Sequence, residues 1–436
     1  MPLKPEAEKA SFFQAYAGRL KLFSRNAKLY LASAVLFGIA SGILNLLFNF
    51  FMLSMGYNEA VIGTLVTIRS STSLLLALPL GYLTDRIGRK QAFFWGYLAV
   101  AFAVGMIILF PKLGLLYTMN VVMGAGQALS MVAMGPFLME NSHEEERTYL
   151  FSFASGISTV AGSIGQWIGG YLPGWFGKLF SVDPSSPTAY AWSLGTMVVI
   201  ALFALIPNLM MVKKVSSDTD RSDFAPLAFM KSNPGSLSKL ILPLLMTSIG
   251  AGMIMPFMNV FFRNVHHQAD ATIGVMFAWG SLAMGIGLLI APVLAERYGK
   301  IQVVVITQTL SIPFLIVLGF SPVFVLSLGA YYLRVMLMNM SSPVYSTYVM
   351  ERVDTRHRAM VASLTSMAGQ FGWAISPTIS GMLQVKYGFQ PSFAITISLY
   401  VISISMYYAW HMRKKFIGFQ NIETSEDKPG AEVFNK

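Results

Sequence analysis

Between positions 81 and 90 the chain reads Gly81-Tyr82-Leu83-Thr84-Asp85-Arg86-Ile87-Gly88-Arg89-Lys90, a charged decapeptide punctuated by glycine. A long apolar run lies on each side of it. A run of about 20 residues is enough for a helix to cross a bilayer. The decapeptide is therefore predicted to be a short loop at one face of a membrane.

A near-copy of this loop, Pro292-Val293-Leu294-Ala295-Glu296-Arg297-Tyr298-Gly299-Lys300, occurs in the second half of the chain. Its charged residues and its glycine follow those of the first loop by 211 positions. Glu140 and Glu351, which lie beyond the two loops, are separated by the same offset. A loop repeated in register through neighbouring runs predicts two similar membrane halves. The pairs at this offset are Asp85 and Glu296, Arg86 and Arg297, Gly88 and Gly299, Arg89 and Lys300, and Glu140 and Glu351.

The composition indicates a membrane protein with many helices. Of the 436 residues, 55% are hydrophobic and 12% are charged, whereas soluble domains carry about 25% charged residues. The net charge of +11 does not indicate nucleic-acid binding, because the cations lie in loops between apolar runs and near the ends. The chain has no cysteine, which excludes disulfides and thiol chemistry.

Twelve apolar runs are present, six on each side of a polar stretch that begins at Lys213. The first run, 29–53, exceeds the roughly 7–15 apolar residues of a signal peptide. We predict an all-α membrane protein with twelve transmembrane helices in two pseudo-symmetric six-helix bundles. The predicted parts are an N-terminal segment that is an interfacial helix or a solvated tail (1–27), a first bundle (28–212), a central loop (213–236), a second bundle (237–412) and a tail (413–436).

The distribution of positive charge predicts the orientation. Twelve passes place both termini on one side, where 25 of the 31 lysines and arginines lie, and four lie on the other side. Loops rich in lysine and arginine stay in the cytoplasm, so both termini and both charged loops are predicted to be cytoplasmic. We expect a monomer in the cytoplasmic (inner) membrane of a bacterium, with the lipid bilayer and a small-molecule substrate as partners.

The sequence resembles the major facilitator superfamily of secondary transporters. The resemblance rests on the six-plus-six arrangement, the long central loop and the pattern Gly-x-Leu-x-Asp-Arg-x-Gly-Arg-Lys, which Gly81–Lys90 matches at every position. The second copy departs from the pattern at Pro292, where the family favours glycine. The resemblance implies alternating access, with the charged loops acting as a latch on one conformation. The alternative is a basic loop that only orients the protein during insertion.

Each residue type in this latch suits a specific task. We expect Gly81 to let the second helix pack closely on a neighbour, Asp85 to cap a helix start, and Gly88 to permit a tight reversal. The cations of the loop can pair with Glu140. The predicted gating residues are Gly81, Asp85, Arg86, Gly88, Arg89, Glu140, Glu296, Arg297, Gly299, Lys300 and Glu351.

A weaker similarity concerns drug–proton antiporters of the same superfamily, whose fifth helix carries Gly-x-x-x-Gly-Pro-x-x-Gly-Gly. The chain has Gly165-Gln166-Trp167-Ile168-Gly169-Gly170 in this helix, with Gln166 in place of the proline. Small residues at such spacing also serve ordinary packing between membrane helices. Both interpretations are open from the sequence.

Two arginines fall inside predicted membrane helices, Arg69 in the second and Arg334 in the tenth. A charged group at bilayer depth costs about 2.5–3.5 kcal/mol on insertion scales, so each arginine requires a compensating role. In the resembled fold the substrate lies between the halves near the midplane. Two guanidinium groups facing that cavity can hold a carboxylate or a phosphate. The alternative is that each arginine satisfies helix carbonyls or polar neighbours.

Other polar side chains at similar depth can orient a ligand or equally join helices by hydrogen bonds. No acidic residue or histidine is predicted at mid-membrane, which argues against organic cations as cargo and leaves proton coupling unassigned. Besides the two arginines, the predicted substrate-binding residues are Asn45, Asn49, Gln127, Gln166, Asn259, Tyr331, Asn339 and Trp373.

The sequence shows no phosphate-binding loop, metal-ligand cluster or buried nucleophile–base pair, so we predict no enzyme activity, no cofactor and no metal. The predicted function is secondary active transport of an organic anion or anionic amphiphile by alternating access. The alternative is a broad-specificity drug–proton antiporter for multidrug efflux, with protons as the coupling ion. A membrane sensor on the same scaffold is a third interpretation, because fold does not fix function.

Overall fold

The computed structural model describes residues 23–212, 234–353 and 358–413, and the regular elements in these ranges are helices. Most of the predicted N-terminal segment (1–27), central loop (213–236) and tail (413–436) lies outside the described residues. Both ends of the described chain lie at the same face as the charged loops, which we call the basic face. The other face is called the opposite face.

The first half makes six passes, named spans 1 to 6, and span 6 consists of two helices that meet at Ala204. Side-chain oxygens of Ser24, Asn58 and Ser186 accept hydrogen bonds from backbone N–H groups at the starts of spans 1, 2 and 6. Such caps satisfy N–H groups that have no partner within the helix. The helices are α1 Arg25–Ser54, α2 Glu59–Ile87, α3 Arg89–Leu109, α4 Leu113–Glu140, α5 Glu144–Phe180, and α6 Pro187–Phe203 with α7 Leu205–Met210.

The second half makes spans 7 to 12, two of which are broken. Short 3₁₀ turns interrupt span 7 at Met255–Phe257 and span 11 at Gly372–Ala374. Pro256 and Pro377 lie at or just after these breaks, where the missing proline N–H ends the regular helix. The helices are α8 Pro234–Ile254 and α9 Met258–Asn264 in span 7, α10 Asp270–Tyr298, α11 Lys300–Phe320, α12 Phe324–Arg352, α13 Arg358–Phe371 and α14 Ser376–Tyr387 in span 11, and α15 Gln390–Tyr407 with a π-helix Tyr408–Arg413 in span 12.

Nine spans in the described ranges are long and apolar enough to cross a bilayer by length and composition. The other three passes are spans 5, 10 and 11. Span 5 is rich in glycine and serine, span 10 carries Arg334 and Asn339, and span 11 is broken in its middle. Polar residues are tolerated in these spans because they line the cavities described below. The predicted all-α architecture of twelve passes is confirmed.

The two charged loops form the same turn. Gly88 joins α2 to α3 with a φ of 92°, and Gly299 joins α10 to α11 with a φ of 90°. Glycine adopts such values without strain, so one residue can reverse the chain. The expected reversal at Gly88 is therefore present, but the expectations for Gly81 and Asp85 are wrong. A side chain on Gly81 would meet open space among the described residues, so none of them packs closely there, and Asp85 lies in the last turn of α2 rather than at a helix start.

Within the first half, spans 1 and 5 pack with their backbones in contact. A Cβ atom on Gly42 would overlap the carbonyl oxygen of Gly162, and one on Gly165 would overlap that of Ile39. Membrane helices associate through small residues because lipid provides no hydrophobic driving force between them. Packing therefore accounts for the glycine at position 165 of the fifth helix.

The two halves meet through four glycines on two helix pairs, spans 2 and 11 and spans 5 and 8. At each glycine a carbonyl oxygen of the other half occupies the space that a Cβ atom would need. The two helix pairs are equivalent at the 211-residue offset, so a pseudo-two-fold axis relates them. The contacts are Gly63 with Pro377, Gly381 with Glu59, Gly274 with Gln166, and Gly170 with Asp270.

Replacing Gly42 with leucine tests the close packing inside the first half. The side chain would overlap the backbone of span 5, and such overpacking typically costs about 1–3 kcal/mol. We expect a lower melting temperature of the purified protein in detergent. Gly105→Leu is the matched control, because a Cβ atom there meets open space. Equal melting temperatures for the two variants would contradict the packing described.

Candidate functional site

A central chamber of about 300 Å³ lies between the two halves. Spans 1, 2 and 5 form its walls on one side, and spans 7, 8, 10 and 11 form them on the other. Its lining combines apolar and aromatic surface with a few polar groups, as is usual for small-molecule sites. The polar and amphipathic lining residues are Asn45, Asn49, Arg69, Gln166, Asn259, Ser281, Tyr331 and Trp373.

Two asparagines at corresponding places of the repeat, 210 positions apart, lie in the chamber wall where spans 1 and 7 meet. The Asn49 Nδ2 atom donates to Asn259 Oδ1 at 2.9 Å and to the Pro256 carbonyl oxygen at 2.7 Å. In return, Asn259 Nδ2 donates to the Leu46 carbonyl oxygen at 2.8 Å. An amide nitrogen has two hydrogens, so both donors of Asn49 are used between the halves and are not available to a ligand in this conformation.

Arg69 lines the chamber from span 2. Its backbone is held by span 4, because a Cβ atom on Gly124 would overlap the Arg69 carbonyl oxygen. Within the described residues its guanidinium group makes neither a hydrogen bond nor an ion pair. A guanidinium group with unused donors in a polar chamber is suited to bind a carboxylate or a phosphate.

Arg334 lines a second cavity of about 630 Å³, which we call the vestibule. The vestibule runs along span 10 from Arg334 to Met350, close to the basic face. Arg334 is 3% exposed, and its guanidinium group donates to Tyr400 Oη at 2.9 Å and contacts Met255 Sδ at 3.1 Å. Its Nε atom has no partner among the described residues. The charge therefore lacks a carboxylate counterion in this part of the structure.

The two arginines face adjacent cavities rather than one. Met255 and Trp373 line both the chamber and the vestibule and so form the partition between them. Both residues belong to the 3₁₀ turns that break spans 7 and 11. The expected single cavity holding both guanidinium groups is thus corrected to two compartments that share a wall.

The other predicted substrate-binding residues divide between these compartments. Asn45, Gln166 and Tyr331 line the chamber, and the Gln166 Oε1 atom is buried without a described partner. Asn339 lines the vestibule, but its amide donates to the Val335 carbonyl oxygen of its own helix at 2.8 Å. Gln127 is half-buried on span 4 and lines neither compartment.

At the basic face, the predicted gating residues form ion pairs inside each half. Arg89 lies 2.6 Å from Asp85 and 3.5 Å from Glu140, all in the first half. The equivalent residues of the second half, Lys300 and Glu351, also form an ion pair. These contacts brace the ends of spans 3 and 4 and of spans 9 and 10, and they do not join the halves in this conformation.

The remaining cations of the charged loops make other contacts. The Arg86 guanidinium group donates to the Tyr82 hydroxyl group, four residues earlier. Lys90 donates to the carbonyl oxygens of Leu209 at 2.7 Å and Met211 at 2.6 Å, at the end of span 6. In the second loop, Arg297 lies over the ring of its neighbour Tyr298, and Glu296 precedes it in the last turn of α10.

At the opposite face, a polar cluster joins the two halves. The Tyr190 hydroxyl group in span 6 donates to the Asp270 carboxylate at the start of span 8, at 2.5 Å. Arg263 at the end of span 7 lies 3.7 Å from the same carboxylate, with its guanidinium carbon 4.5 Å from the ring centroid of Phe50. Tyr190 and Phe50 belong to the first half, so this Asp270 cluster ties the halves together.

The Asp270 cluster was not predicted from the sequence. Two signals were present, because Asp270 is the equivalent of Glu59 at the 211-residue offset and Arg263 is one of the few cations on its side. Glu59 also bonds across the halves, accepting from Asn264 Nδ2 at 3.3 Å. Tyr190 lies 80 positions from Asp270, so only the fold shows that they meet.

The inter-half contacts close the path at the opposite face and leave it open toward the basic face. The four glycine contacts and the Asp270 cluster lie near the opposite face, at the ends of spans 2, 5, 8 and 11. Closer to the basic face, gaps of about 430 and 630 Å³ separate the same helices.

The sequence profile of the Major Facilitator Superfamily matches residues 30–266 and 240–424, nearly the whole chain. The chain belongs to the Major Facilitator Superfamily. This membership, together with the fold, makes the protein an integral membrane transporter. No curated protein sequence matches the chain.

Several solved structures share the superfamily fold. A bacterial homologue of the human lysosomal transporter Spinster, inward-facing and unoccupied, has a TM-score of 0.71 and 13% identity, over 88% of this chain and 96% of that one. The nucleoside transporter NupG has a TM-score of 0.72 and 14% identity, over 89% of this chain and 100% of that one. A bacterial homologue of the iron transporter ferroportin, in the inward-facing state, has a TM-score of 0.68 and 15% identity, over 89% of this chain and 99% of that one. At these identities the similarity concerns the fold alone.

A wedge between the halves of this superfamily member tests how the opposite face is closed. Gly381→Leu would push span 11 away from the Glu59 carbonyl oxygen, so we expect the opposite face to open. The reporter is a cysteine at Asn45 in the chamber, which needs no background removal because the chain has no cysteine. In vesicles of known orientation, an impermeant maleimide at the opposite face should label the wedged protein faster.

Gly329→Leu is the control for the wedge, since a Cβ atom at this position meets open space. It should leave the labelling rate of the Asn45 cysteine unchanged. If Gly381→Leu and Gly329→Leu label at the same rate, the glycine contacts do not close the opposite face.

Proposed function

We propose that this protein is a secondary transporter that moves an organic anion by alternating access. The observation that carries the proposal is the pair of membrane-embedded arginines, Arg69 and Arg334, each lining a cavity and neither paired with a described carboxylate. An uncompensated guanidinium group at this depth is costly and normally marks a substrate pathway. A bound anion would supply the missing charge.

The two arginines suit successive steps of binding. The vestibule reaches the basic face, so an anion entering there would meet Arg334 first, among the hydroxyl groups of the vestibule wall. Passing Met255 and Trp373 would bring it to Arg69 in the chamber. The guanidinium group of Arg69, which has no described partner, could form bidentate hydrogen bonds to a carboxylate or a phosphate.

Alternating access would come from rocking the two halves, 28–212 and 237–412, about the chamber. We propose that the basic face is cytoplasmic, that the membrane is a bacterial inner membrane, and that the present conformation faces inward. The Asp270 cluster would be the outer gate. The ion pairs of Arg89 and Lys300 would stiffen the basic face of each half, so that the halves move as units.

A drug–proton antiporter is the second candidate, because Phe48, Met258 and Phe277 also line the chamber and offer apolar surface to a hydrophobic compound. No carboxylate lines the chamber or the vestibule among the described residues. A proton-coupled exporter of cations needs a titrating acid in its pathway, so the anion carrier is favoured. Proton-linked efflux of cationic dyes from vesicles would instead support the antiporter.

Arginine-to-glutamine variants test the proposed site. We expect Arg69→Gln and Arg334→Gln each to lose most of the uptake or efflux of an anion that wild-type protein carries, because the counter-charge is removed. Transport in vesicles is compared across a panel of carboxylates and phosphates at matched protein levels. Binding is followed separately as the anion-dependent rise in melting temperature.

Lys386→Gln is the matched control for these variants. It removes one positive charge from an exposed position at the opposite face, outside both compartments. It should keep wild-type transport and binding. Unchanged transport by Arg69→Gln and Arg334→Gln across the whole panel would remove the anion assignment.

A further inference from the structure

A long apolar gap separates spans 5 and 8 on the side of the protein that faces lipid. It has a volume of about 430 Å³, and we call it the 5–8 seam. It lies on the basic-face side of the Gly170 and Gly274 contacts, where the two helices diverge. The seam is lined by Ser155, Gly156, Thr159, Val160, Ser163, Ile164 and Trp167 of span 5 and by Ala278, Ser281, Leu282, Met284, Gly285 and Leu288 of span 8.

The surface of the seam is suited to hydrocarbon. Val160, Trp167 and Leu282 are 59%, 50% and 52% exposed, so no described helix covers these apolar side chains. Three of the four hydroxyl groups in the wall already donate to carbonyl oxygens of their own helices: Thr159 to Ser155 at 3.0 Å, Ser163 to Thr159 at 2.9 Å and Ser281 to Phe277 at 3.1 Å. The seam therefore offers little to a polar ligand.

The seam adjoins the central chamber. Ser281 lines both, and Gln166 in the chamber wall is followed directly by Trp167 in the seam. A ligand that passes beside Ser281 would therefore reach both the guanidinium group of Arg69 and an apolar groove at bilayer depth. From residue 155 to residue 167 the seam extends about 18 Å along span 5, at 1.5 Å per residue. One leaflet of a bilayer core is about 15 Å thick, so this is the length of one acyl chain.

We propose that the transported anion is a single-chain amphiphile, whose carboxylate or phosphate binds Arg69 in the chamber while its alkyl chain lies in the 5–8 seam. This inference rests on the proposed function and narrows its substrate class. Charge complementarity selects an anionic head, and the used hydroxyl groups and exposed apolar side chains select an alkyl tail. The ligand can then enter sideways from the membrane without transferring its tail through water.

A second apolar gap lies beside the other arginine compartment, the vestibule. A gap of about 630 Å³ between spans 2 and 4 on one side and span 11 on the other is lined by Leu74, Leu78, Met131 and Met367. It shares Ala362 and Ser366 with the vestibule that holds Arg334. Each arginine compartment therefore adjoins an apolar gap to the lipid. We use the 5–8 seam for the test because its wall contains two glycines that tolerate substitution.

The experiment is photo-crosslinking of the full chain in phosphatidylcholine vesicles. The probe is a long-chain fatty acid with a diazirine at the end of its alkyl chain, and labelled peptides are mapped by mass spectrometry. We expect labelling in 155–167 and 278–288 that unlabelled dodecyl phosphate reduces and dodecyltrimethylammonium does not. Arg69→Gln should lower seam labelling at least fivefold and leave labelling of lipid-facing residues in span 3 unchanged.

Seam-filling variants provide the second arm. A Cβ atom at Gly156 or at Gly285 meets open space, so Gly156→Leu and Gly285→Leu fill the seam from either helix without displacing a neighbour. Either variant should abolish seam labelling and long-chain transport while keeping the stabilisation by short-chain anions. Gly105→Leu on span 3 has the same open space away from the seam and should behave as wild type.

The outcomes separate this inference from the proposed function. Seam labelling that is equal in wild type and Arg69→Gln means that bulk lipid fills the seam, which overturns the amphiphile while short-anion binding at Arg69 can still stand. Loss of short-anion stabilisation in Arg69→Gln supports the anion site alone. If neither short nor long anions stabilise the wild-type protein, both proposals fail.

Discussion

The contact on which this structure depends is the direct approach of helix backbones between its two halves. At four glycines, a carbonyl oxygen of the other half fills the space of a missing side chain, and the repeat relates the four contacts in pairs. Because these contacts lie near the opposite face, the helices must diverge toward the basic face. The chamber, the vestibule and both apolar gaps are consequences of that divergence.

The repeat explains the scaffold, and its exceptions mark the candidate site. The internal symmetry relates the two turn glycines and the ion pairs of Arg89 and Lys300. It also relates the two asparagines that bond to each other, Asn49 and Asn259. It does not relate the two membrane arginines to each other. The equivalent of Arg69 is Gly280, which leaves room for the ring of Tyr331 beside the chamber, and the equivalent of Arg334 is Met123. Two similar halves thus enclose a pocket whose two sides differ in charge. Such a pocket is suited to a ligand whose two ends differ in the same way.

The sequence was sufficient for features that depend on local chemistry. Apolar run length predicted the spans, and the glycine of each charged loop predicted the reversal. The sequence did not predict features that depend on contacts between residues far apart in the chain. The partition between the two arginines arises from 3₁₀ turns at Met255 and Trp373, and no periodicity predicts where such turns place a side chain. The Asp270 cluster joins residues from spans 6, 7 and 8, and the expected close packing at Gly81 is absent because no described helix passes there.

The two membrane arginines also have an electrical consequence. In the proposed carrier without its cargo, two guanidinium groups with no described carboxylate partner would place two positive charges within the bilayer, and a membrane potential acts on each charge with about 2.3 kcal/mol per 100 mV for a full crossing. A bound monoanion would cancel one of these charges, and a dianion would cancel both. The return of the empty carrier would therefore respond to voltage more strongly than the loaded step, and the membrane potential would control the rate of the cycle through the same two arginines.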